Sequence, residues 1–156
     1  MTRNLNFPEF PIRTIAKDGR ELVFDVVRKK WVVLTPEEWV RQHILWYMIE
    51  EKLVPSSLIA VEKALIINTL SKRFDALVYD KNTSPVLLIE CKAPSVKLSQ
   101  STLEQAARYN LKFKVGLLLI TNGLSHYCIA IDHKTEAFKL LPEIPSFLEM
   151  IPPSQA

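Results

Sequence analysis

Four apolar residues, Val86-Leu87-Leu88-Ile89, run without a break into Glu90-Cys91-Lys92, and this junction constrains the fold more than any other part of the chain. A short apolar run of this kind reads as a buried strand. Residues i and i+2 of a strand share a face, so Glu90 and Lys92 are expected to project together while Ile89 and Cys91 face the other way. An acid and a base on a core strand are costly unless they have a partner or a task. Asp75, in the triplet Arg73-Phe74-Asp75 on a preceding strand-like run, supplies the partner.

The surrounding pattern predicts an α/β protein. Ile12 to Ile15 and Glu21 to Val27 flank an Asp18-Gly19 turn and read as a hairpin, with Lys30 to Leu34 a further strand candidate. Thr35-Pro36-Glu37-Glu38 is a helix start: Thr as N-cap, Pro at the first helical position, acids in the first turn. That helix is expected to run to about Lys52. Leu58 to Ile67, Arg73 to Tyr79 and Val86 to Lys92 follow as strands, and 80–85 as a turn. Ser99 to Asn110 reads as a second helix with Ser101 and Glu104 at capping-box spacing. Val115 to Thr121 and His126 to Ile131 are strands, and the Pro-rich tail from Leu141 holds turns or one short helix around Phe147. A chain of 156 residues fits one domain. Its expected divisions are a hairpin extension over 1–34, a core over 35–132 and a C-terminal tail over 133–156.

The acids and the lysine point to phosphodiester chemistry. Hydrolysis at neutral pH needs an activated water and charge neutralised on the phosphate, and a divalent cation does both. Mg²⁺ takes oxygen ligands and needs only one or two carboxylates. Asp75 and Glu90 can supply them, and the main-chain carbonyl of Cys91 can add a further oxygen. Lys92 can orient or deprotonate the water and stabilise transition-state charge. Gln105 and Tyr109 share a face of the second helix and can bind the substrate backbone or orient Lys92. Glu37 can reach the same site from the first helix; Glu38 competes, because one residue of phase error exchanges them. Lys72 and Arg73, with Lys112 and Lys114, form a candidate phosphate-tracking patch, in which Arg73 is a substrate-binding candidate.

These residues together resemble the PD-(D/E)xK nuclease superfamily. Gln105-Ala106-Ala107-Arg108-Tyr109 is similar to the QxxxY motif of the branch containing RecB-type nucleases and the nuclease domain of type I restriction enzyme R subunits. The strongest resemblance is to the R-subunit N-terminal family, over roughly Thr35 to Ile131. It is carried best by Thr35-Pro36-Glu37-Glu38-Trp39-Val40-Arg41-Gln42 and Ile89-Glu90-Cys91-Lys92-Ala93-Pro94. The resemblance implies a restriction-endonuclease-like α-β-β-β-α-β core with a mixed central sheet, preceded by the N-terminal hairpin. It also implies Mg²⁺-dependent DNA hydrolysis, with Mn²⁺ as a substitute. Asp75, Glu90 and Lys92 would be catalytic and Gln105, Glu37 and Tyr109 would assist, with restriction-system subunits as partners. Phe74 stands where the superfamily name has Pro. No Walker-type phosphate loop occurs among the three glycines, so the resemblance extends to the nuclease module and not to a motor.

Bulk properties narrow the alternatives. A net charge of +3 suits a polyanionic partner without demanding one. Cys91 and Cys128, the two cysteines, have no paired-ligand spacing and read as free buried thiols. No apolar run reaches the roughly 18 residues that span a bilayer, and Met1-Thr2-Arg3-Asn4 leads into no apolar core, so a cytoplasmic, membrane-free location is expected. Two competing functions are a non-catalytic nucleic-acid-binding module that keeps the fold, and an assembly domain that forms a homodimer through the hairpin and the Trp-rich first helix.

Overall fold

The structure is a computed structural model that describes residues 4–153. Met1 to Arg3, part of the stretch expected to lack a signal peptide, and the last three residues of the tail lie outside the described residues. Strands β1 (Thr14–Lys17), β2 (Arg20–Asp25) and β3 (Lys30–Val33) form a small antiparallel sheet in the order β1-β2-β3. Asp18 and Gly19, both at positive φ, make the two-residue turn between β1 and β2.

The chain then forms α1 (Pro36–Glu50), β4 (Ile59–Ile67), β5 (Leu70–Tyr79), β6 (Pro85–Cys91), α2 (Gln100–Asn110), β7 (Leu117–Thr121), β8 (His126–Asp132), β9 (Ala137–Leu140) and α3 (Phe147–Met150). The six strands β4 to β9 lie side by side in sequence order. Every neighbouring pair is antiparallel except β6 and β7, which α2 connects as a parallel crossover. The expected α-β-β-β-α-β core and mixed sheet are therefore present. β9 extends the sheet beyond the last expected strand, within a stretch the sequence reading left as tail.

Alternation along the central strands builds two cores. Val78, Leu87, Ile89 and Leu119 face α1 and pack with its Val40, Ile44, Leu45 and Met48. Leu77, Leu88, Leu118 and Ile120 face the other way and pack with Ala107 of α2 and Phe113 beyond it. A strand covered on both faces must be apolar at every position, which is why the Val86–Ile89 run is unbroken.

Capping fixes where the helices begin. Thr35 Oγ1 accepts from the Glu38 N–H at 3.0 Å, as the Thr-Pro start predicts. At α2 the cap is Ser99, whose hydroxyl accepts from the Thr102 N–H, and not Ser101. The capping box occurs instead at α3, between Ser146 and Glu149.

Asp25 joins the small sheet to the rest. It is fully buried at the end of β2, and its carboxylate accepts from the main-chain N–H groups of Val27 (2.9 Å) and Arg28 (2.7 Å) and from Arg28 Nε (2.8 Å). The next N–H, of Val26, donates to Gln42 of α1 at 3.1 Å. Burial alone would raise the Asp25 pKa, but the bonds and charge of Arg28 outweigh it and hold the carboxyl below its ordinary 3.8. Its stabilising contribution is therefore present above that value and is lost as pH falls through the lower, folded-state value. Asp25→Ala should cost about 3 kcal/mol in urea unfolding at pH 7. The deficit should shrink below pH 3.8; a deficit independent of pH would contradict the assignment.

Candidate active site

The regular alternation of β5 breaks at Phe74-Asp75-Ala76. Phe74 joins the core under α2, Ala76 joins the core under α1, and Asp75 between them turns toward α1 as well. The neighbouring strand shows the cause. Val61 pairs with Ala76 and Lys63 with Phe74, but Glu62 between them has φ 53°, a left-handed conformation in mid-strand. A non-glycine residue held there is strained and needs its surroundings to keep it in place.

Asp75 is half-buried and held from two sides. Its Oδ2 accepts from the Cys91 N–H at 2.7 Å, tying β5 to the end of β6, and its Oδ1 lies 3.6 Å from the Arg41 guanidinium of α1. Burial pushes its pKa up. The Cys91 N–H and Arg41 oppose that rise, while the charges of Glu90 and Glu37 add to it. Burial is thus the main reason that the Asp75 carboxyl holds its proton more readily than usual.

Glu90 is expected beside Lys92, but its counter-charge is Lys72, whose ammonium forms a short ion pair with Glu90 Oε1. Lys72 also lies 4.9 Å from the Phe74 ring centroid and 4.7 Å from that of Tyr109, and Lys112 lies 5.2 Å from Tyr109 on α2. Lys92 follows the last residue of β6. Its main-chain N–H donates to Thr121 at 2.8 Å, and its exposed side chain has no ion pair or hydrogen bond among the described residues. β6 ends at Cys91, and the bond from the Lys92 N–H carries its pairing with β7 one residue further.

The remaining candidates divide by environment. Gln105 is exposed, with no side-chain partner among the described residues; Tyr109 is exposed on the same helix. Glu37 is exposed at the start of α1, yet its charge reaches Asp75. Glu38 is buried and engaged: it accepts from Arg41 Nε at 2.9 Å and from Gln42 Nε2 at 3.0 Å. Arg73 is exposed and donates through Nε to the Glu62 carbonyl at 3.0 Å. Cys91 is a buried free thiol whose pKa burial and Asp75 push well up, which leaves its main-chain atoms as its contribution.

Arg28, Arg41 and Glu62 were not singled out in the sequence. Arg28 reaches Asp25, Glu38 and Glu62, and Arg41 reaches Glu38, Glu62 and Asp75. The Glu38 and Arg41 spacing of i, i+3 was a usable signal. Glu62 offered none, because its position depends on one backbone angle.

Among the described residues no group of three or more His, Cys, Asp or Glu side chains gathers in ligand geometry. Asp75 and Glu90, on paired neighbouring strands, suit Mg²⁺, which needs only one or two carboxylates and completes its shell with water and phosphate. Asp75 and Glu90 would hold the ion, with the Cys91 carbonyl as the nearby main-chain oxygen.

The family model for the type I restriction enzyme R protein N terminus (HSDR_N) matches residues 36–145. A fragment structure of a candidate HsdR subunit of a type I restriction enzyme from Vibrio vulnificus YJ016 superposes with a TM-score of 0.50 at 19% identity, over 72% of this chain. The likeness is one of fold, and the matched part spans 24% of the Vibrio chain. A candidate nuclease of the DUF820 family from Anabaena variabilis ATCC 29413 aligns at 13% identity over 93% of this chain and 88% of its own, with a TM-score of 0.49. No curated protein matches the sequence. Among the described residues no helix is long and apolar enough to cross a membrane.

Asp75→Asn keeps an acceptor for the Cys91 N–H and removes the half-buried charge. A carboxyl with a raised folded-state pKa favours the fold when protonated and disfavours it as pH rises. The variant should therefore be as stable as the parent or about 1 kcal/mol more stable at pH 7, with the difference vanishing near pH 4. A clear loss of melting temperature at pH 7 would show that the attraction of Arg41 dominates instead.

Proposed function

The chain belongs to the family of type I restriction enzyme R protein N termini, and on that premise we propose that it is a Mg²⁺-dependent nuclease hydrolysing DNA phosphodiester bonds at Asp75, Glu90 and Lys92. The observation that carries this reading is the placement of Asp75, held by the Cys91 N–H, on the strand paired with that of Glu90. Lys92, whose side chain has no partner among the described residues, stands directly after the strand of Glu90.

When bound, Mg²⁺ supplies an activated water and neutralises phosphate charge. Asp75, oriented by the Cys91 N–H, and Glu90 would hold the ion. The ammonium of Lys92 orients the attacking water and faces the charge that builds on the phosphate. Gln105 and Tyr109 on α2 position the strand or Lys92, and Glu37 approaches from α1. Mn²⁺ substitutes for Mg²⁺, and a cytoplasmic setting suits DNA as the substrate. Restriction-system subunits or a second copy of the chain are the proposed protein partners.

The pairing of Glu90 with Lys72 favours a second reading, a DNA-binding module without cleavage. Purified protein incubated with plasmid and linear DNA in Mg²⁺, Mn²⁺ or EDTA separates the two. Cleavage should require the metal and fall by about a hundredfold or more in Glu90→Ala and Lys92→Ala. Absence of metal-dependent cleavage, or equal cleavage by both variants, rules the nuclease out; salt-dependent DNA binding without cleavage supports the second reading.

A further inference from the structure

Three guanidinium groups from separate elements converge on one carboxylate beside the site. Arg28, from the turn after β2, approaches Glu62 Oε2 at 3.3 Å; Arg41 of α1 approaches Oε1 at 3.2 Å; Arg73 of β5 approaches Oε2 at 3.4 Å. Glu62 is the most exposed acid in this network. Asp25 binds Arg28 at 2.8 Å and Glu38 binds Arg41 through two nitrogens, and both acids are buried. Glu62 is 39% exposed, and Arg73, one of its three partners, is 69% exposed. The Glu62 backbone is left-handed, with φ 53°, and its carbonyl accepts from Arg73 Nε at 3.0 Å. Strain of this kind gathers at functional positions.

We propose that Arg28, Arg41 and Arg73 form a phosphate-binding site for the DNA backbone, occupied in the free protein by the Glu62 carboxylate, which an incoming phosphodiester displaces. The inference rests on the nuclease reading, because Arg41 also touches Asp75 and thereby sets the bound phosphate next to the catalytic carboxylate. A carboxylate and a phosphate present similar paired oxygens to a guanidinium fork, so one can replace the other without rebuilding the site. Glu62 then suppresses binding of stray anions, and only a phosphate delivered with the rest of a DNA strand displaces it.

The test is fluorescence anisotropy of a fluorescein-labelled 30-base-pair duplex in EDTA across a NaCl series. Glu62→Gln should bind on the order of fivefold more tightly than the parent at low salt, with a salt slope steeper by about one. Adding Arg73→Gln to it should remove the gain. Circular dichroism and melting temperature establish that the variants are folded. A folded Glu62→Gln that binds no more tightly, or a gain that survives Arg73→Gln, overturns the proposal. If Glu62→Gln does not fold, Arg73→Gln alone decides: binding weakened by about threefold with a slope shallower by about one supports the site, and unchanged binding overturns it. Binding in EDTA is independent of cleavage. A chain that cleaves DNA but shows no effect of Glu62→Gln sinks only this site, whereas the reverse result sinks only the nuclease reading.

Discussion

The Arg41 guanidinium holds the site together. It is buried in α1 and shared by Glu38 of its own helix, Glu62 of β4 and Asp75 of β5. Burial alone would weaken its charge, but Glu38 and Glu62 outweigh that and keep it firmly protonated. Arg28 extends the same network to Asp25 and so to the small sheet. Buried ion networks contribute little net stability compared with apolar packing of the same volume. Their effect here is positional: they tie α1 and the turn after the small sheet to the middle of β4 and β5, where Glu62 and Asp75 stand.

The two cores complement that network. The central strands present apolar side chains to α1 on one face and α2 on the other. Asp75, in the middle of β5, and Glu90, near the end of β6, are served from opposite sides, Asp75 by Arg41 and Glu90 by Lys72 beside Tyr109 of α2. The helices therefore set the electrostatics of the two acids separately, although their strands are neighbours.

Much of this was legible in the sequence where local chemistry decides. Thr35-Pro36 marks the start of α1, the Asp18-Gly19 turn marks the hairpin, and the unbroken Val86–Ile89 run marks a doubly covered strand. The order of elements around Asp75 and Glu90 followed from these. What escaped was what tertiary placement decides. β9 was missed because Ala137 to Leu140 is short and mostly exposed, an edge strand recruited by pairing with β8. The cap of α2 fell on Ser99 because two serines stand close enough to compete. The pairing of Glu90 with Lys72 escaped because the two residues stand on different strands, eighteen positions apart. Glu62 could not have been found at all, because a residue in a strand pattern gives no sign that its φ will be positive.

The meander of β4, β5 and β6 also bears on the order in which the chain assembles. A two-residue turn at Asn68-Thr69 and the short link 80–84 bring Asp75 and Glu90 together at small cost in loop entropy. The parallel partner β7 waits for the long crossover through α2, and Arg41 arrives from a helix outside the meander. The acids are thus neighbours through local contacts, while the arginine that answers them is supplied by a more distant part of the chain. Docking of α1 onto the nascent sheet is accordingly drawn by charge as well as by apolar surface, which gives a partly folded chain an electrostatic reason to place this helix over the correct end of the sheet.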